Sequence, residues 1–252
     1  MTTKKEKVII IIPTYNEALV IEETIHQVFI ATQELDDFDV DVLIFDSASK
    51  DNTQEIVRSL QSNYNTTLHL QAEPHKTGLG SAYIKAMNYA LYQLKADIII
   101  EFDADLSHQP KYIAPILETL KTCDVVVGSR YVPGGSIPQN WGVHRKALSL
   151  LGNYVARLIL TRKYKDLTSG FRATRSKILQ QVLPKSFLSN NYAYKLHLMW
   201  LLHRQNANIK EFPIEFIDRD QGVSKLPSNS ILDALHVIFT LRFRAIKKYL
   251  GF

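Results

Sequence analysis

The chain contains one cysteine, Cys123, in 252 residues. A single thiol excludes an intrachain disulfide and any zinc site built from several cysteines, and it suits a reducing compartment. Glycine and proline are sparse, with 10 and 9 residues, far below the content that marks low complexity or disorder. No apolar run approaches the about 18 residues that a membrane-spanning helix requires. The longest such stretch, 231–241, is broken by Asp233, His236 and Thr240. The basic start, with Lys4, Lys5 and Lys7, leads into a short apolar run over 8–12 that ends at Pro13, too brief for the core of a signal peptide. No Gly-x-x-x-x-Gly-Lys-Ser/Thr loop occurs, and Gly78-Leu79-Gly80 lacks the third glycine of a dinucleotide fingerprint. Neither a P-loop ATPase nor an ordinary dehydrogenase is therefore supported.

Apolar residues make up 46% and charged residues 22%, values typical of a globular domain. A chain of this length buries roughly three-quarters of its unfolded surface. The net charge of +5 favours anionic partners: phosphates, nucleic acid or an acidic membrane surface. Short β-branched runs predict strands over 8–12, 40–45, 67–71, 98–102 and 124–128. Between them, helical spacing predicts helices over 17–31, 53–61, 78–94 and 110–120. This alternation predicts a doubly wound, mostly parallel sheet. The second half reads as a basic amphipathic helix over 141–162, helices over 175–183, 191–206 and 229–250, and a strand over 208–217. Ligands of doubly wound sheets sit beyond the carboxyl ends of the strands.

Those ends are acidic. Glu17 follows the first strand, Asp46 and Asp51 the second, and Asp103 and Asp105 the fourth. Each alone suits a turn or helix cap, but together they repel one another unless a cation sits among them. Asp103-Ala104-Asp105 offers two hard oxygen ligands to Mg²⁺ or Mn²⁺, which would bridge phosphate oxygens. Gly78 and Gly80 open a helix where backbone can approach a ligand. Arg130, Arg145, Arg172 and Arg219 are candidate phosphate forks, with structural ion pairing as the alternative. His108, His144 and His197 read as packed or solvated, Cys123 as inert, and Tyr192, Tyr194 and Trp200 as core aromatics.

Five blocks follow in the order seen in inverting GT-A glycosyltransferases. They are Pro13-Thr14-Tyr15-Asn16-Glu17, Asp46 with Ser49-Lys50-Asp51-Asn52-Thr53, Gly78-Leu79-Gly80-Ser81-Ala82, Asp103-Ala104-Asp105-Leu106-Ser107-His108 and Gly128-Ser129-Arg130-Tyr131. Two later blocks, Asp166-Leu167-Thr168-Ser169-Gly170-Phe171-Arg172 and Asp218-Arg219-Asp220-Gln221-Gly222-Val223-Ser224-Lys225, resemble the dolichyl- or polyprenyl-phosphate mannosyltransferases. The resemblance spans residues 8–226. It implies an α/β GT-A (Rossmann-like) fold with a mostly parallel central sheet, helices on both faces and a C-terminal amphipathic helix. The catalytic domain would be 1–227 and the helix 228–252.

The resemblance further implies transfer of a sugar, mannose from GDP-mannose, to a dolichyl or polyprenyl monophosphate with inversion. Alternatives are glucose or another sugar from a UDP or GDP donor to lipid phosphate or a glycan, and a non-catalytic nucleotide-sugar binder. Pro13, Tyr15, Glu17, Asp46, Asp51, Gly78, Asp103, Ala104 and Asp105 would line the nucleotide-sugar pocket, with Asp103 and Asp105 holding Mg²⁺ or Mn²⁺. Arg130, Arg145, Ser149, Arg219 and Lys225 would hold the donor and acceptor phosphates. Asp105, Arg130 and Arg219 are the implied catalytic residues. Ser47 stands where the family often has a second aspartate, and Ser107 where it commonly has Gln, so the base preference and the third metal ligand stay open. No nucleic-acid partner is implied. The cytoplasmic face of a membrane, reached through 228–252, and a small membrane-anchoring subunit complete the expected partners.

Overall fold

A continuous apolar run makes sense in a strand whose two faces are both covered by helices. In the computed structural model, which describes residues 4–64, 66–218 and 229–250, the run over 8–12 is the middle of β1 (Glu6–Thr14). Side chains alternate between faces: Ile9 and Ile11 join one core, while Val8, Ile10 and Ile12 join the other. The sheet is completed by β2 (Phe38–Asp46), β3 (Leu68–Ala72), β4 (Ile98–Glu101), β5 (Val125–Ser129), β6 (Arg172–Arg175) and β7 (Ile209–Pro213). Their order across the sheet is β3-β2-β1-β4-β6-β5-β7. Neighbours pair in parallel except at β6, which runs antiparallel to both β4 and β5.

One face is covered by α1 (Ile21–Thr32), α2 (Thr53–Gln61) and α4 (Ile113–Leu120). The other carries α3 (Leu79–Tyr92), α5 (Val143–Ile159), α6 (Ser176–Val182), α7 (Tyr194–Arg204) and α8 (Ser230–Tyr249). The expected α/β sheet with helices on both faces is thus present. The terminal helix lays Val237, Ile238 and Leu241 into the same core as α5 and α7. The expected boundary at 227/228 lies outside the described residues.

Two departures from the sequence reading have physical causes. α1 begins at Ile21 rather than at 17, because residues 16–18 are drawn onto the loop after β2. Asn16 adopts a left-handed φ of 53°, and its side chain accepts from the Lys50 N–H. β6 was not anticipated, since Arg-Ala-Thr-Arg carries no strand pattern of its own. It forms because Arg172 meets Glu101 across the β4–β6 pair. The guanidinium donates from Nε to Glu101 Oε2 at 2.6 Å and from Nη2 to Oε1 at 2.9 Å. The Tyr194 hydroxyl adds a third donor to Glu101 at 3.1 Å. Each partner's side chain is 1% exposed, so Arg172 is a structural fork and is withdrawn from the candidate phosphate ligands.

A buried charge left without its partner is costly. Arg172→Met should therefore destabilise the protein by about 3–5 kcal/mol. The double variant Arg172→Met/Glu101→Met should recover most of that loss. Urea unfolding of the three proteins checks both statements.

Candidate active site

The carboxyl ends of β1, β2, β4 and β5 share one edge of the sheet, as the register of Thr14 with Asp46 and of Ile11 with Glu101 requires. Two loops at this edge are latched by the acidic residues themselves. Asp46, fully buried, accepts from the Thr14 hydroxyl at 2.9 Å, the Ser49 N–H at 2.9 Å, the Ser49 hydroxyl and Gln54 Nε2 at 2.6 Å. Asp51 accepts from the Ala18 N–H at 3.1 Å, from the Thr53 N–H at 3.1 Å and from the Thr53 hydroxyl. Burial would raise its carboxyl, but these donors outweigh that and lower it. The Glu17 N–H is held by Thr53 Oγ1 at 2.9 Å. Asp46 and Asp51 thus give this edge its shape through hydrogen bonds to the protein.

Beside that latch, Tyr15 faces Lys76, whose Nζ lies 3.5 Å from the ring centroid. A cation over an aromatic face is attracted by the ring's quadrupole. Lys76 belongs to the segment after β3, which Glu73 fixes by accepting from Thr77 N–H at 3.0 Å and Lys85 Nζ at 2.6 Å. Gly78 has φ 101°, and a Cβ there would stand 2.4 Å from the Asn190 carbonyl oxygen. The close backbone approach at this glycine is therefore to the segment at 190, to which the Gly80 N–H also bonds at 2.9 Å.

After β4 the chain turns through Asp103-Ala104-Asp105. The Asp103 N–H donates to His108 Nδ1 at 3.2 Å, and the Ser107 N–H donates to Asp105 Oδ1 at 3.2 Å. Leu106 takes the left-handed φ of 57° that lets the turn close. Ala104 is buried, and its carbonyl accepts from the Thr24 hydroxyl at 2.7 Å. His108 sits among Phe102, Phe171 and Phe216, packed as the sequence reading had it. Burial pushes its imidazole down to about 4, with Lys195 and Arg130 adding to that against the pull of Asp103. At neutral pH it is an uncharged acceptor.

Arg130 follows β5. Its Nε and Nη2 donate to the two Asp166 oxygens at 2.8 and 2.9 Å, and Nη2 also to Thr168 Oγ1 at 2.7 Å. Asp166 is fully buried, the Arg130 side chain is 11% exposed, and Asp103 adds to the field at Arg130. The fork is held on one edge, which leaves Nη1 as the edge uninvolved in this pair. Arg145, on α5, stacks over Trp141 at 4.0 Å and meets Asp218 at 3.2 Å. The Ser149 hydroxyl pairs with that of Tyr131 at 2.8 Å. Arg219 and Lys225 lie outside the described residues. Asp166, Lys195 and Lys76 were assigned no role from sequence. Asp166 stood inside a quoted motif and was the one with a signal to follow.

The acidic turn after β4 and the Arg130 fork after β5 thus lie at one edge of a mostly parallel sheet. Residues 9–183 match the model for glycosyl transferase family 2, and the chain belongs to that family. It is 34% identical over 229 residues to the undecaprenyl-phosphate mannosyltransferase of Micrococcus luteus, covering 91% of each chain. It is 31% identical over 231 residues to the polyprenol monophosphomannose synthase of Mycolicibacterium smegmatis, covering 91% of this chain and 84% of that one. Among solved structures it is similar to the mannosyltransferase PcManGT of Pyrobaculum calidifontis in complex with GDP-Man and Mn²⁺. The TM-score is 0.58 at 17% identity, over 99% of this chain and 76% of the other.

The Arg130–Asp166 pair has a pH signature. Burial alone would raise the Asp166 carboxyl, but Arg130's charge and hydrogen bonds outweigh it and hold the group below its ordinary 3.8. A folded value below the unfolded one gives stabilisation that is present above about pH 4 and lost as pH falls through the folded value. Asp166→Asn should be less stable than wild type at pH 7, with the gap narrowing below about pH 4. Denaturant unfolding followed by circular dichroism across that range reads it.

Proposed function

We propose that this protein transfers a mannosyl group from GDP-mannose to the phosphate of a polyprenyl monophosphate, with inversion at the anomeric carbon. The single observation that carries this reading is the adjacency of the Asp103-Ala104-Asp105 turn to the Arg130 fork, which Asp166 and Thr168 aim from the later motif. The identity to two polyprenyl-phosphate mannosyl enzymes over nine-tenths of the chain supports it.

The donor set suits a hard divalent cation. Among the described residues no group of three or more His, Cys, Asp or Glu could hold a metal ion, so those residues do not offer a closed cage. Mg²⁺ and Mn²⁺ are commonly held by one or two carboxylates and completed by substrate phosphates, which Asp103 and Asp105 can supply. The Mn²⁺ carried by the similar fold is consistent with that. When bound, such an ion neutralises charge on the departing diphosphate. Ser107 is buried beside Asp105, and its hydroxyl is the candidate third oxygen.

A lipid monophosphate is already an anionic nucleophile at neutral pH, so the chain need not supply a strong base. Its task is alignment and charge compensation. Arg130, with one edge fixed by Asp166, and Arg145, aligned over Trp141, would hold phosphate oxygens through planar donor pairs. Arg219 and Lys225 would complete the acceptor grip. Tyr15, with Lys76 over its ring, and the latched loop carrying Pro13 and Glu17 would hold the nucleoside. A single displacement then converts an α-linked donor into a β-linked lipid phosphate sugar.

The acceptor's lipid places the reaction at a membrane surface. No helix among the described residues is long and apolar enough to cross a membrane. α8 leaves Phe239, Phe243 and Ile246 exposed beside Arg242, Arg244, Lys247 and Lys248, and the adjoining α5 leaves Leu148, Leu151 and Tyr154 exposed. Apolar side chains flanked by cations suit the headgroup boundary of an anionic leaflet, here the cytoplasmic one.

Two experiments test these readings. With Mn²⁺, a short polyprenyl phosphate and a panel of labelled nucleotide sugars, GDP-mannose should be the donor used, and Asp105→Ala should lower transfer by roughly 100-fold or more while the fold is kept. Preference for a UDP-sugar would reject the donor, and equal rates in excess chelator would reject the metal. For the membrane, Phe239→Ser/Phe243→Ser should lose flotation with anionic vesicles at low salt. Unchanged flotation would remove α8 from that role.

A further inference from the structure

Burying a lysine is expensive unless its charge is paired, and few folds do so without a reason. Lys195, near the start of α7, is 7% exposed. Its Nζ lies 3.8 Å from Asp103 Oδ2, and its chain is fixed on both sides of that contact. The Lys195 carbonyl accepts from Arg172 Nη1 at 3.5 Å, and the neighbouring Tyr194 hydroxyl donates to Glu101 at 3.1 Å. Space for the ammonium is made by a glycine: a Cβ at Gly170 would fall 2.1 Å from Lys195 Nζ and 2.7 Å from Cε. Gly170 has no left-handed backbone to explain it, so the lysine end is what the missing side chain accommodates. His108 Nε2 lies 3.5 Å from the same Asp103 Oδ2, and its Cε1 would stand 3.3 Å from a Cβ at Gly170. The lysine is the cation that α7 brings against this carboxylate.

We propose that Lys195 is a positioning residue that holds Asp103 and sets the charge of the metal–diphosphate site. A fixed positive charge beside Asp103 repels a divalent cation and attracts the anionic diphosphate of the donor. The bare protein would then bind metal weakly and nucleotide diphosphate appreciably, so that metal and donor assemble in the site together. Lys195 acts through Asp103 and the local field and need not touch the reacting atoms. This inference rests on the reading of Asp103 and Asp105 as the metal–diphosphate carboxylates.

The test removes the charge and reads two ligands of opposite sign separately. Lys195→Met keeps an unbranched apolar stem. Binding of Mn²⁺ alone is followed by the paramagnetic resonance of free Mn²⁺, and binding of GDP alone, in chelator, by calorimetry. Crossed changes are expected: Mn²⁺ binds about tenfold tighter and GDP about tenfold weaker, since the same charge enters both with opposite sign. Gly170→Ala, which keeps the lysine but forces its ammonium aside, should give the same crossed pattern with smaller size. It also keeps the proposal testable if Lys195→Met does not fold. Weakening of both ligands together would mark a merely structural lysine and overturn the proposal, as would no change in either. Asp105→Ala in the same Mn²⁺ titration separates the two levels. If it leaves Mn²⁺ binding unaltered, the assignment of the metal carboxylates fails. If it abolishes binding while the Lys195 and Gly170 variants behave as wild type, only the role of Lys195 fails.

Discussion

The bidentate pair of Glu101 and Arg172 is the constraint on which the rest of this structure turns. Two full charges at the middle of a sheet carry a desolvation cost that only saturating geometry offsets. Here the guanidinium meets both carboxylate oxygens, with the Tyr194 hydroxyl as a further donor. That requirement fixes three separate pieces of chain against one another. Glu101 ends β4, two residues before Asp103. Arg172 begins β6, immediately after Gly170 and Phe171. Tyr194 and Lys195 open α7. The position of the carboxylate turn, the glycine opposite Lys195 and the antiparallel strand within an otherwise parallel sheet all follow from satisfying one buried pair.

A second pair, in which Asp166 is fully buried, repeats the logic at the carboxyl edge of the sheet. Asp166 takes two donors from Arg130, which orients a fork that free rotation would otherwise blur. Arginine suits this because its donors lie in one rigid plane, so fixing one edge aims the other. Lysine in this position would deliver charge without direction. At this edge a cation of fixed orientation therefore stands near the acidic turn after β4.

The acidic residues at the strand ends divide into two roles that share one chemistry. Asp46 and Asp51 spend their oxygens on backbone and hydroxyl donors, and so fix the loops after β1 and β2 relative to each other. Asp103 and Asp105 stand on a turn whose closure is carried by backbone N–H groups and a neutral histidine. An aspartate at a strand end caps, latches or ligates according to which donors the surrounding chain brings within about 3 Å.

From sequence alone, the alternation of β-branched runs with helical spacing determined the layered α/β architecture, because burying both faces of a parallel strand demands a continuous apolar run such as 8–12. Strand-end placement likewise singled out Glu17, Asp46, Asp51, Asp103 and Asp105, since the carboxyl edge is where such sheets bind ligands, while Arg130 came from its motif. The tertiary structure decided what depends on contacts between residues far apart in the chain. Arg172 read as a phosphate ligand because its partner, Glu101, is 71 residues away. β6 was invisible because its strand conformation comes from pairing with β4 and β5 and not from its own pattern. α1 started late because Asn16 and Ala18 bond to the loop after β2, over 30 residues on. Lys195 gave no signal at all: a lysine within a helix reads as solvated, and only the fold turns it inward, against Asp103 and the space left by Gly170.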